Sequence, residues 1–124
     1  MLTEKSTFPA FLEAAKGKKV IGFGASTYMT DILSLLSSHN LQIEYIVDND
    51  MWKWGGEHCG VAVCSPGKLY DEKPDEIIVL ICIAYPFDIE KQLNNMEVAA
   101  DYYAYALWTS LIYSRMGRVP VIYF

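Results

Sequence analysis

An uninterrupted apolar run from Ile77 to Ile81 constrains the fold of this chain most strongly. Side chains of a β-strand point alternately to the two faces of a sheet, so a strand that is apolar throughout is buried on both faces. Strands of this kind occur in parallel sheets that helices cover on both sides. We therefore predict that Glu76 to Ile83 contains a central strand of an α/β domain.

Apolar residues at helical spacing alternate with further short apolar runs along the chain. This pattern predicts helices over residues 7–16, 26–38 and 86–96, strands over 19–23, 41–47, 61–64 and 102–106, and a loop from Trp52 to Cys59. Alternation from residue 18 onward favours right-handed βαβ units. The expected fold is Rossmann-like α/β, an open and mostly parallel sheet of about five strands with helices on both faces.

The length of 124 residues fits a single domain. We predict an N-terminal helical segment over residues 1–17, a core over 18–108 and a C-terminal extension over 109–124. An amphipathic segment from Trp108 to Met116 leads into this extension, and Val119 to Phe124 reads either as an edge strand or as a tail.

The charge balance limits the classes of partner. Ten basic and 15 acidic residues give a formal net charge of −5, which argues against nucleic acid as a partner. Charged residues within the first 20 positions argue against a signal peptide, and the apolar run from Ile77 to Tyr85 is too short for a membrane span. Three cysteines without a C-x-x-C pair indicate a reducing compartment, so a cytoplasmic location is expected.

Two spaced glycines join the first strand to the following helix, in Val20-Ile21-Gly22-Phe23-Gly24-Ala25-Ser26-Thr27. We expect Gly22 to permit the tight turn and Gly24 to let the backbone approach a ligand phosphate. The helix start favours an anion near Ala25, and Ser26 and Thr27 can add hydroxyl hydrogen bonds. Thr27 replaces the third glycine of G-x-G-x-x-G, so a plain strand-to-helix turn is the alternative interpretation.

An acidic turn, Asp48-Asn49-Asp50, follows the second predicted strand. An acid at this position binds ribose hydroxyls in dinucleotide sites, so Asp48 and Asn49 are candidate nucleoside contacts. Asp50 is expected to cap the turn instead, and a solvated turn is the alternative for the whole segment. Ala84 and Tyr85 follow the central strand and are candidates to line the pocket, with the tyrosine packing on a base or sugar; a plain strand-to-helix turn is the alternative interpretation.

No catalytic residue and no metal ligand is predicted. A short-chain dehydrogenase needs Tyr-x-x-x-Lys, and the pair Tyr70 and Lys73 is one residue short of that spacing. His39 is expected to end a helix. His58 and Cys59 are adjacent but have no further ligand cluster in the sequence to support a metal or nucleophile site.

Several of these segments together resemble a known family. They are Ile21–Ala25, Ile46–Asp50, Lys53–Gly55, Gly60–Val63 and Ser65-Pro66. They look like the Rossmann-like domain of bacterial glycan-biosynthesis proteins: the N-terminal domain of sugar acetyltransferases, the domain preceding polysaccharide-biosynthesis dehydratases and the C-terminal domain of sugar C-methyltransferases. The resemblance implies a binding module in which Gly22, Gly24 and Ala25 face phosphates and Asp48 and Asn49 face the nucleoside.

Three functional hypotheses follow. The first is a nucleotide or nucleotide-sugar binding module of bacterial surface-polysaccharide metabolism without independent catalysis. The second is a degenerate Rossmann scaffold for protein association, as a homodimer or as a partner domain of a larger enzyme, with Trp52 and Trp54 at its surface. The third is a small NAD(P)-dependent enzyme, against which the lack of an acid–base pair counts.

Overall fold

The computed structural model describes Leu2 and residues 7–108. Its helices and strands follow the chain as helix α1 (Phe8–Ala14), β1 (Lys19–Phe23), α2 (Thr27–Ser38), β2 (Ile43–Val47), β3 (Glu57–His58), β4 (Val61–Cys64), β5 (Ile77–Ile81), α3 (Pro86–Asn95) and β6 (Asp101–Ala104). Short 3₁₀ turns cover Met51–Lys53, Pro66–Asp71 and Pro74–Glu76. The C-terminal segment predicted over 109–124 lies outside the described residues.

The six strands found among residues 7–108 form one mixed sheet in the order β3-β4-β2-β1-β5-β6. All neighbouring pairs are parallel except β3 and β4, which are antiparallel. The predicted α/β class and mostly parallel sheet are thus confirmed, with one strand more than expected. The additional strand is β3, within the segment predicted to be a loop.

The β3–β4 hairpin escaped prediction because its signals are weak. Glu57 and His58 pair with Ala62 and Val61, so only Cys59 and Gly60 form the turn. Both have positive φ, 50° and 83°, as in the two-residue turns that join hairpin strands. Cys-Gly is not one of the usual sequences for such a turn, and a two-residue strand is too short to show alternation.

Strand β5 lies inside the sheet, and all five of its residues are buried. Ile78 and Leu80 point to the face that α1 and α2 cover. Val79 and Ile81 point to the opposite face, where Leu69 of the 3₁₀ turn and α3 pack. Burial of each such side chain contributes roughly 1.5–3 kcal/mol relative to exposure, so β5 connects the two halves of the core.

The helix boundaries agree with local capping. The Thr7 side chain accepts a hydrogen bond from the Ala10 amide at 3.3 Å at the start of α1. Helix α2 ends at Ser38, and Asn40 follows with φ 58°, the left-handed conformation common after a helix. In β6, the strand begins one residue before its predicted start and ends at Ala104. No helix among residues 7–108 is long and apolar enough to cross a bilayer.

Helix α1 belongs to the core although it is short. Phe11 is fully buried, and its ring lies 5.6 Å from that of Trp108 and 5.7 Å from that of Tyr103. Aromatic side chains at these separations add favourable edge contacts to the burial of apolar area.

We expect Phe11→Ala to lower the free energy of unfolding by about 3–5 kcal/mol, because it removes a buried ring between two others. Chemical denaturation measures the change. Glu13→Ala is the matched control, since its carboxylate makes only an exposed ion pair with Lys16 and should alter stability by less than about 0.5 kcal/mol. Equal losses in the two variants would mean that α1 does not pack on the sheet.

Candidate functional site

The connection from β1 to α2 is shaped by the packing of the protein itself. Gly22 lies within β1, and a side chain there would overlap the buried Met29 of α2. Gly22 therefore allows α2 to pack closely on the sheet. The prediction that Gly22 forms the tight turn is wrong, because Gly22 lies within β1. Gly24 does form the turn, with φ 113°. A Cβ there would overlap Ile83 and come within 2.9 Å of the Cys82 carbonyl oxygen.

Asp48 stands at the amino end of α2, where the sequence predicted a ligand anion. Its Oδ2 accepts a hydrogen bond from the Ala25 amide at 2.7 Å, and its Oδ1 accepts one from the Asp50 amide at 2.7 Å. Lys53 Nζ lies 3.8 Å from the same carboxylate and donates to the Ala25 carbonyl at 2.8 Å. An anion next to a helix amino terminus is stabilised by the amide groups there. In this structure that anion belongs to the protein.

Ser26 and Thr27 stand at the start of α2, and the Ser26 side chain does not cap the helix. The Ser26 hydroxyl donates to the Cys82 carbonyl at 2.7 Å and makes no capping bond to the helix. Thr27 is exposed. The first amides of a helix have no partner within the helix. Ser26 therefore leaves the first amides of α2 without a side-chain cap.

Asn49 is also bonded within the protein. Its amide nitrogen donates to Gln92 Oε1 at 2.7 Å, and Gln92 Nε2 donates back to Asn49 Oδ1 at 2.8 Å. This reciprocal pair joins the loop after β2 to α3. The predicted nucleoside contact of Asn49 therefore requires the pair to open.

A cleft of about 350 Å³ opens beside Asp48, on the β2 side of the sheet. This cleft, called the Lys53 cleft below, is lined by Ala25, Trp52, Lys53, Gly56, Glu57, His58 and Val63. Trp52 is 89% exposed, which is unusual for so large an apolar side chain. The cleft thus combines the Lys53 ammonium group, the Trp52 ring and the Glu57 carboxylate at the carboxyl edge of the mostly parallel sheet.

The loop that carries Trp52 is held in place by hydrogen bonds. Asp50 caps its 3₁₀ turn by accepting from the Trp52 amide at 3.0 Å, which confirms the predicted capping role. Trp54 Nε1 donates to the Asp48 carbonyl at 2.6 Å. The Gly55 amide donates to Val63 at 2.9 Å. The exposed Trp52 ring therefore projects from a loop that hydrogen bonds hold in place.

His58 and Cys59 meet α2 through Thr30. The Thr30 hydroxyl lies 2.9 Å from His58 Nε2 and 3.8 Å from Cys59 Sγ. Among residues 7–108, no three histidine, cysteine, aspartate or glutamate side chains are close enough to hold a metal ion. Thr30 fixes the ring of His58 at the mouth of the cleft. Sequence reasoning treated His58 as an isolated pair with Cys59 and missed this contact, which only the fold creates.

Ala84 and Tyr85 line a second, separate cleft of about 330 Å³ together with Pro86, Phe87, Asp88, Ala106 and Leu107. Tyr85 is 75% exposed at the amino end of α3. Of the residues predicted to bind ligand, Ala25 thus faces the Lys53 cleft, and Ala84 and Tyr85 face the Tyr85 cleft. Gly24, Ser26 and Asp48 line neither cleft.

A larger depression of about 630 Å³ lies at the opposite end of the sheet, along Gly17–Val20 and Asn40–Gln42. It borders the amino ends of β1 and β2. Ligand crevices of open α/β sheets lie outside the carboxyl ends of the strands. For this reason we exclude the depression, and of the two clefts beyond the carboxyl ends we assign the candidate site to the Lys53 cleft, because a lysine lines it.

Titratable groups with shifted pKa values lie away from this cleft. Burial raises the pKa of the Cys82 thiol, which is completely enclosed. Burial and the hydrogen bond to Glu90 raise the pKa of Tyr102 to about 12. Burial, followed by the negative charge of Glu72, also raises the pKa of Tyr45. None of these three residues lines the cleft.

These features define a small α/β domain with a polar and aromatic cleft at the carboxyl edge of a mostly parallel sheet. The chain belongs to the C2185-like, N-terminal family, whose model matches residues 16–102. The match includes every strand from β1 to β5 and excludes α1. No curated protein and no solved structure shows a significant match to the chain.

We expect Asp48→Ala to lower the free energy of unfolding by about 2 kcal/mol, because it leaves the Ala25 and Asp50 amides without their acceptor. Urea denaturation measures the change. Asp31→Ala, at an exposed position of α2, is the control and should stay within about 0.5 kcal/mol of the parent. An unchanged stability for Asp48→Ala would contradict the structural role of this carboxylate.

Gly24→Ala should cost about 3 kcal/mol, since strained backbone and contact with Cys82 and Ile83 both act against the added Cβ. Gly17→Ala provides the comparison. Gly17 also has positive φ, 73°, but a Cβ there meets nothing within 4 Å, so only about 1 kcal/mol is expected. Similar losses in the two variants would show that the β5 end does not confine Gly24.

Proposed function

We propose that this chain is a nucleotide or nucleotide-sugar binding module with a Rossmann-like fold, acting in bacterial surface-polysaccharide metabolism without catalysis of its own. One observation carries the binding proposal: Lys53, Trp52 and Glu57 line one open cleft together with Ala25, which lies just before α2. The link to glycan metabolism rests on the resemblance of the Ile21–Ala25 and Ile46–Asp50 segments. The description of the family as N-terminal is in keeping with a module of a larger protein.

The phosphate is assigned to the end of the cleft near Ala25. Lys53 supplies a positive charge there. Its Nζ is 3.8 Å from the Asp48 carboxylate, so this carboxylate neutralises the charge only in part. Hydrogen bonds between charged groups and phosphate oxygens are stronger than neutral ones. We therefore assign the phosphate to the Lys53 ammonium group, and not to the Ala25 amide, which Asp48 occupies.

The nucleoside is assigned to the outer part of the cleft. The exposed face of Trp52 offers a planar surface on which a base can stack. The Glu57 carboxylate lines the same cleft and can accept hydrogen bonds from ribose hydroxyls. Glu57 thus takes the role that the sequence had suggested for Asp48. His58, oriented by Thr30, adds a further polar group.

Protein association is the second candidate function. Four large apolar side chains at the carboxyl edge are well exposed: Met51 at 62%, Trp52 at 89%, Tyr85 at 75% and Phe87 at 56%. Exposed apolar groups of this size are typical of interaction surfaces. The occupation of the α2 amino end by Asp48 also favours a scaffold that has lost its ligand.

Ligand-induced stabilisation separates the two functions. Binding to the folded state raises its stability by about 2.7 kcal/mol when the ligand is present at 100 times its Kd. We expect a nucleoside diphosphate or UDP-sugar to raise the melting temperature by several degrees in a thermal-shift series that also contains CoA and S-adenosylmethionine.

Lys53→Met should then weaken the affinity about tenfold or more in isothermal titration, because it removes the charged partner of the phosphate. Lys53→Arg should retain most of the affinity. Lys68→Met is the control, since Lys68 lies over the Tyr45 ring, 5.0 Å from its centroid, on the other face of the sheet. A flat thermal response to every ligand, with a stable dimer in solution, would favour association instead.

A further inference from the structure

The sheet has one point at which the direction of its strand order reverses. From β1 the chain proceeds to β2 and β4 on one side and then crosses to β5 and β6 on the other. In open α/β sheets, a dinucleotide lies across the carboxyl edge at such a point, with one half on each side. The space above the ends of β1 and β5 therefore decides whether a ligand can extend from one half to the other.

That space is closed in this protein. The Cys82 amide donates to the Phe23 carbonyl at 2.8 Å, so the chain after β5 remains paired to the end of β1. The Ser26 hydroxyl then bonds the Cys82 carbonyl at 2.7 Å. Ile83 packs against Gly24 so closely that a Cβ there has no room. The turn from β1 to α2 and the chain after β5 are thus bonded to each other and packed together at the point where a pyrophosphate would cross.

A second connection crosses the edge on the α3 face. The reciprocal amide bonds between Asn49 and Gln92, at 2.7 and 2.8 Å, tie the loop after β2 to α3. The Lys53 cleft and the Tyr85 cleft therefore lie on opposite sides of a closed edge and share no lining residue. Each has the volume of about 330–350 Å³ that is at the small end for ligand pockets.

We infer that the Lys53 cleft is a mononucleotide site, which accepts one nucleoside with its phosphates and gains nothing from a second nucleoside. This inference rests on the proposed function and narrows its ligand class. Nucleoside diphosphates, with or without a sugar, belong to the accepted class. For NAD(P) and other dinucleotides, the second half remains in solvent and adds no contact.

The test compares ligands that share one base. Isothermal titration of the whole chain identifies the nucleoside diphosphate of highest affinity among ADP, UDP, GDP and CDP. The symmetrical dinucleoside pyrophosphate of the same base and NAD⁺ are then titrated under the same conditions. We expect each dinucleotide to bind with a Kd equal to or higher than that of the diphosphate. A dinucleotide Kd lower by about threefold or more overturns the inference.

Two exposed aromatic residues supply a matched pair of variants. Trp52→Ala should weaken binding of both the diphosphate and the dinucleotide by about tenfold, with Trp52→Phe restoring most of the loss. Tyr85→Ala should change neither affinity by more than about twofold, because Tyr85 lies in the other cleft. Both side chains are mostly solvent-exposed, so folding should be preserved. Weaker dinucleotide binding by Tyr85→Ala, at unchanged diphosphate affinity, would also overturn the inference.

The proposed function and the mononucleotide inference fail in different ways. If no nucleoside diphosphate binds, the proposed function is wrong and the mononucleotide site is wrong with it. If a diphosphate binds and the dinucleotide of the same base binds more tightly, only the mononucleotide inference is wrong.

Discussion

The carboxyl edge of this domain depends on the placement of one carboxylate against the start of a helix. The Asp48 carboxylate accepts hydrogen bonds from the Ala25 and Asp50 amides and lies near the ammonium group of Lys53. Through these contacts the end of β2, the start of α2 and the loop carrying Trp52 keep a fixed relation. A charge that is half-buried needs such partners, because unpaired burial costs several kcal/mol. The arrangement also fixes which part of the α2 amino end remains open to other molecules.

The same contact shows how a familiar sequence pattern can take on another structural role. Glycines between a strand and a helix are usually associated with close approach of a phosphate. In this chain Gly22 makes room for Met29, and Gly24 makes room for Ile83 and the Cys82 carbonyl. Both glycines are thus explained by internal packing. The polar groups that border open space come from the loop after β2, in Trp52, Lys53 and Glu57.

Much of the fold could be predicted because its signals are local or strongly periodic. The apolar run of β5 and the cap at Asp50 both follow from residue type. The site could be predicted only in part. The sequence predicts Asp48 and Ala25 as ligand contacts, but it does not predict their hydrogen bond to each other, which depends on how β2 and the start of α2 lie in space. Likewise, the contact of Thr30 with His58 depends on a hairpin that has almost no sequence signal.

The β3–β4 hairpin has a consequence for how copies of the domain behave near one another. Parallel sheets that end in a long, flat strand present unpaired amides and carbonyls to which another chain can add. At this margin the sheet ends instead in β3, which is only two residues long, runs antiparallel to its neighbour and carries a charged Glu57. So short a border offers little template for strand addition. Addition of strands from other molecules is therefore unfavourable at this edge of the sheet, which lies near the exposed Trp52.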